Sequence, residues 1–115
     1  MKASRMSHDY AAQKAETYAT YRDLSDKAQL PDEADVDYFF VPATEDADWR
    51  ALADVLSRDG FDCEYFDDDE VDEPYFCATL TDQAISAESI WSGEEIATRA
   101  ALDHGFAPDG WGFEA

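Results

Sequence analysis

Positive charge is what this chain has least of. Beyond residue 31 only Arg50, Arg58 and Arg99 carry it, against 24 Asp and Glu, so residues 32–115 sum to −21. Residues 1–31, with five Lys/Arg and four Asp/Glu, sum to +1. A surface that acidic repels phosphate backbones and anionic lipid headgroups alike, which argues against direct nucleic-acid binding and membrane-surface attachment. Its natural complement is a basic protein. Cysteine is scarce too: Cys63 and Cys77 stand alone, without C-x-x-C spacing and with no histidine nearby. Neither a zinc site nor a redox motif is supported. No apolar run approaches the roughly 20 residues needed to span a bilayer. The start, Met1 to Met6, has positive charge but no apolar region behind it. No signal peptide is therefore expected, and the chain is placed in the cytoplasm, where two reduced thiols are expected rather than a disulfide.

The signs of catalysis are equally thin. His8 and His104 are the only histidines, and His104 falls in the last turn of an expected helix, where the dipole favours a cation. No serine or cysteine sits in an elbow motif, and no glycine-rich loop follows a strand. No catalytic residue, cofactor or metal ligand is assigned, and the chain is read as a non-enzyme.

What is present is apolar matter: hydrophobic residues make up 45% of the 115 and aromatics 14%, too much for a disordered chain. Two parts are expected, an N-terminal helical extension over residues 1–31 and a globular domain over 32–115. Residues 7–28 lack Gly and Pro and read as a helix capped by Ser7, with a thin stripe of Tyr10, Tyr18, Tyr21 and Leu24. Val36 to Val41 is β-branched and aromatic, apolar on both faces, and belongs at the centre of a sheet. Thr44 is the expected cap of the next helix, with Glu45, Asp46 and Asp48 in its first turn and Trp49, Leu52, Ala53 and Leu56 on one stripe; Gly60 ends it.

Phe61 to Phe66 and Pro74 to Thr81 read as a hairpin. Symmetry about Glu70 places Cys63 opposite Cys77 and Tyr65 opposite Tyr75. A second packed helix runs from Ala87 to His104. Within it Ser92-Gly93-Glu94-Glu95 has the form of a capping box, which allows a true start at Ser92, and Ile96, Ala100 and Leu102 continue the packing face. After Gly105, Pro108 and Asp109-Gly110 predict a tight turn, and Trp111 and Phe113 share one face of a short last strand, with Gly112 admitting a close neighbour. The order strand, helix, strand, strand, helix, strand defines an α+β class, a ferredoxin-like βαββαβ antiparallel sandwich preceded by an N-terminal helix, with both later helices on one sheet face.

The hairpin tip, Asp67, Asp68, Asp69, Glu70, Asp72 and Glu73, packs six carboxylates into seven residues. A calcium loop would need glycine at its sixth position, where Val71 stands. A solvated tip and an electrostatic docking surface both remain, and these six are the candidate partner-binding residues.

The run Ala84 to Gly112, AISAESIWSGEEIATRAALDHGFAPDGWG, together with the strand VDYFFV and the acidic hairpin, resembles the RraB-type regulators of ribonuclease E over residues 34–115. Asp109, Gly110, Trp111 and Gly112 match the family's D-G-W-G motif, while Pro108 departs from the tyrosine expected before it. The resemblance implies a domain without catalysis of its own that binds ribonuclease E, lowers its activity and so modulates RNA degradation. The alternative is a stand-alone acidic module that masks another basic partner. The second sheet face is expected to be covered by the N-terminal helix, by a second copy in a homo-oligomer, or by the partner.

Overall fold

The computed structural model describes residues 8–113. In chain order it contains α1 (Tyr10–Lys27), β1 (Glu33–Pro42), α2 (Trp49–Arg58), β2 (Asp62–Phe66), β3 (Tyr75–Ala84), α3 (Ala87–Asp103) and β4 (Phe106–Phe113). The four strands form one antiparallel sheet in the order β2-β3-β1-β4. This is a mixed α+β architecture with β1 inside the sheet, as its two-sided apolar pattern requires.

Alternation along β1 decides where the core lies. Val36, Tyr38 and Phe40 are at most 1% exposed, whereas Asp37, Phe39 and Val41 on the other side are half-buried. Phe76 and Ala78 of β3 and Phe106 of β4 join the buried set, and Leu52 and Leu56 of α2 with Ile90, Ala97 and Ala101 of α3 close over it. Both helices therefore lie on one face. Full burial of Leu52 and of Leu56 stabilises the fold by about 1.5–3 kcal/mol each.

Several local expectations are overturned. Helix α2 is capped by Asp48, whose carboxylate accepts from Ala51 N, and its first turn contains no acidic residue. The amides of Ala43 and Thr44 donate to Gly105 O, and Asp48 N donates to His104 O. Those bonds hold residues 43–48 against the α3–β4 corner in a non-helical path, so Thr44 is left to donate to Asp46. Gly105 has φ +84°, and a Cβ there would lie 2.5 Å from Thr44 Oγ1 and 2.8 Å from Ala47 Cα. Helix α3 begins at Ala87 with Ser86 as its cap, so the Ser92 box is not used. Its interior Gly93 is needed because a Cβ would meet the Tyr38 hydroxyl at 2.5 Å. Its packing face is Ile90, Gly93, Ala97 and Ala101, leaving Ile96 and Leu102 exposed.

The hairpin is offset by one residue from the expected symmetry: Cys63 pairs with Ala78, Glu64 with Cys77 and Tyr65 with Phe76. A one-residue slip reverses faces, so Cys63 sits against the core while Cys77 lies on the opposite side, and both are free. Burial pushes the Cys63 thiol up to about 11 and raises that of Cys77.

The expected turn at 107–110 is also absent. β1 continues to Pro42, which pairs with Phe106, and the strand tolerates Pro108 because β4 is an edge strand. Asp109 and Gly110 instead fall where the register shifts, with Gly110 at φ +102°. Trp111 and Phe113 do share a face, stacked at 6.2 Å on the helix side. Nothing stands within 4 Å of a Cβ built on Gly112, so close packing does not explain it.

Candidate protein-docking surfaces

Helix α1 is fixed by polar side chains rather than by an apolar stripe. The expected cap, Ser7, lies outside the described residues; within them Asp9 caps the helix, and Thr17 is its one buried residue. Thr17 Oγ1 donates to Glu94 Oε1, Gln13 Nε2 donates to Glu94 Oε2 at 3.1 Å, and Trp111 Nε1 donates to Thr17 Oγ1 at 3.3 Å. Tyr21 adds a bond to Ile85 O, and the Arg99 guanidinium lies 4.4 Å from the Tyr10 ring centre. Leu24, expected in the stripe, is 39% exposed. The helix thus packs on α3 and beside the end of β4, on the helix side of the sheet; it does not cover the other face.

Glu94 is 5% exposed. Desolvation raises its pKa, the Thr17 and Gln13 bonds oppose the shift, and the nearby Glu16 charge adds to it. The Ser92-Gly93-Glu94-Glu95 pattern points to a capping box and does not reveal this role for Glu94. The available signal was spacing: Glu94 shares a helical stripe with Ala97 and Ala101, which marks it as facing inward. A groove of about 410 Å³ opens beside it, lined by Glu16, Thr20, Asp109 and Trp111 among others. Of the family-motif residues, Trp111 is therefore a tie to α1, whereas Asp109 and Gly110 are exposed at the rim.

On the side of the sheet without helices the register sets Phe39 and Val41 of β1 beside Tyr75 of β3 and Phe66 of β2. Phe66 and Tyr75 stack at 4.6 Å, and Phe39 meets Tyr75 edge-on at 6.1 Å. All six carboxylate residues of the hairpin tip, Asp67, Asp68, Asp69, Glu70, Asp72 and Glu73, are exposed. Asp68 turns the chain, its Oδ1 accepting from Glu70 N and its carbonyl from Val71 N. The ion pairs among the described residues are Lys27–Asp23, Arg58–Asp54 and Arg99–Glu95, each within a helix, so none engages the tip. A shallow depression of about 330 Å³ is lined by Phe39, Val41, Pro74 and Tyr75 with Glu73 and Asp109. Folding thus brings one hairpin carboxylate and one motif carboxylate to the same apolar patch, a juxtaposition that spacing in the chain does not reveal.

Among the described residues no group of three or more His, Cys, Asp or Glu is placed to hold a metal ion. No helix there is long and apolar enough to cross a membrane.

Fold and surface together define a small α+β domain with one packed sheet face and one open, acidic and aromatic face. Residues 14–113 match the family model described as regulator of ribonuclease activity B, and the chain belongs to that family. The match takes in most of α1, further upstream than the resemblance from residue 34 implied. No curated protein matches the chain.

Proposed function

We propose that this protein binds ribonuclease E and lowers its activity, acting by contact and without catalysis of its own. Membership of a ribonuclease-regulator family supports the class of function. The observation that carries the finer reading is charge segregation: every Lys and Arg among the described residues lies on a helix, while the hairpin tip and the open sheet face carry carboxylates only. Such a surface competes with RNA for the basic segments by which an RNA-degrading enzyme holds its substrate. On this proposal the protein acts in the cytoplasm, with residues 32–115 as the domain and residues 1–31 as an extension whose helix α1 docks on it. Taken from its other edge the sheet runs β4-β1-β3-β2, with helices connecting β1 to β2 and β3 to β4, an arrangement that supports a ferredoxin-like split βαβ topology.

Cleavage of a defined transcript by ribonuclease E, followed with increasing amounts of this protein, tests the proposal. Slower cleavage that recovers when salt is raised is the expected result. Unchanged cleavage with no complex on gel filtration would remove ribonuclease E as the target and leave an acidic module with a different basic partner.

A further inference from the structure

The helix-free sheet face presents an aromatic cluster that the core does not use. Phe39, Phe66 and Tyr75 are each half-buried, with the Tyr75 ring in contact with both of the others. Among the described residues no helix lies over them, because α1, α2 and α3 all pack on the other side. The charges around the cluster share one sign. Register places Asp37, Asp62 and Glu64 on the same face, and Glu73 and Asp109 border the depression beside Phe39 and Tyr75.

We propose that this face seats an extended, arginine-bearing segment of a partner protein. Guanidinium groups lie flat on the Tyr75 and Phe39 rings while their edges pair with Glu64, Asp62, Glu73 and Asp109. Arginine fits better than lysine, because a planar guanidinium stacks on an aromatic ring and forks onto a carboxylate at the same time, which a compact ammonium does not. Sign excludes the competing occupants. A second copy meeting this one face to face would bring carboxylates against carboxylates, with no cation on either face among the described residues, and RNA or an anionic membrane would add phosphates to them. The partner's identity as ribonuclease E rests on the function proposed above; the chemistry of the occupant does not.

The test uses the full chain and fluorescent peptides: an arginine-rich, unstructured sequence, the same sequence with lysine for arginine, and an acidic scramble. Amide NMR should show shifts clustered at Phe39, Glu64, Phe66 and Tyr75, with the arginine peptide bound more tightly than the lysine one and the scramble not bound. The exposed pair D62N/E64Q should weaken the arginine peptide by about tenfold, equivalent to about 1.4 kcal/mol, while E88Q on α3 leaves it unchanged. Unaltered thermal unfolding of each variant keeps the comparison clean. Shifts confined to the helices, or equal affinity for D62N/E64Q, would overturn the proposal, as would a dimer whose interface maps to this face. Ribonuclease E supplied in parallel separates the two ideas. Binding that survives D62N/E64Q removes the face and keeps the regulator; peptide binding here without ribonuclease binding does the reverse.

Discussion

Replacing Gly93 with alanine tests the packing of α3 on the sheet. Helix propensity alone predicts a gain of about 1 kcal/mol, because glycine is the weaker helix former. Geometry predicts the opposite. The new Cβ would stand 2.5 Å from the Tyr38 hydroxyl and 3.0 Å from both Tyr38 Cζ and Leu80 Cδ1, and Tyr38 is 1% exposed. The hydroxyl donates to Ile90 O at 2.9 Å, a bond that retreat from the new Cβ would strain. Overpacking costs about 1–3 kcal/mol, and a displaced buried hydroxyl about 1–3 kcal/mol more. After the propensity gain, a net loss of about 1–5 kcal/mol is expected in denaturant unfolding. Tyr38→Phe alone removes one hydrogen bond, about 1 kcal/mol, and leaves Ile90 O its helical partner. In the double variant the nearest atom is gone, so the two losses should fall short of additivity by about 1–2 kcal/mol. A stabilised Gly93→Ala, or strict additivity, would refute this account of the helix–sheet contact.

The remaining predictions concern the α1 seam and the thiols. Glu94 has a raised folded-state pKa, so between the ordinary glutamate value and that raised value the folded state holds more protons than the unfolded one, and its contribution to stability falls as pH rises. Glu94→Gln should flatten that dependence, its amide NH2 replacing one of the two acceptor oxygens; a steeper dependence in the variant would contradict the assignment. Thr17→Val removes the donor to Glu94 and the acceptor for Trp111 Nε1, and should cost about 1.5–3 kcal/mol and expose α1 amides to faster hydrogen exchange. Exchange in α1 unchanged from the native protein would show that other contacts hold the helix. Cys63 and Cys77 lie on opposite sheet faces, so mild oxidation should leave two thiols per chain; burial also raises both thiol pKa values, so alkylation should be slow at neutral pH and accelerate as pH rises. An intramolecular disulfide formed without unfolding would contradict the hairpin register.

The elements themselves were legible because their patterns are local. Val36 to Val41 is apolar on both faces and lies inside the sheet; the stripe Trp49, Leu52, Ala53, Leu56 packs as its spacing requires. Boundaries and registers were less so, because tertiary bonds decide them. Thr44 is a better cap on preference alone than its surroundings permit, since Gly105 O claims the backbone before it. The capping box at Ser92 is a correct local pattern overridden by a helix that already runs from Ala87. The hairpin tip has no turn residue that fixes its centre, so symmetry about Glu70 was arbitrary by one residue, and one residue is enough to separate the cysteines. Of the candidate site, the acidic tip and the D-G-W-G motif were visible as composition and resemblance. Their meeting at Phe39 and Tyr75, and the burial of Glu94 beneath α1, arise only from the topology that places β4 next to β1 and α1 over α3.

The proposed regulation of ribonuclease E rests on direct contact through this domain's carboxylate-bearing surface. Calorimetric titration of this protein into the catalytic and scaffold halves of ribonuclease E, supplied separately at low and high salt, tests it most directly. Saturable binding to one half, weakened by salt and accompanied by slower RNA cleavage, is the predicted result. Heat-silent titrations of both halves at low salt, with cleavage unaffected, would contradict it.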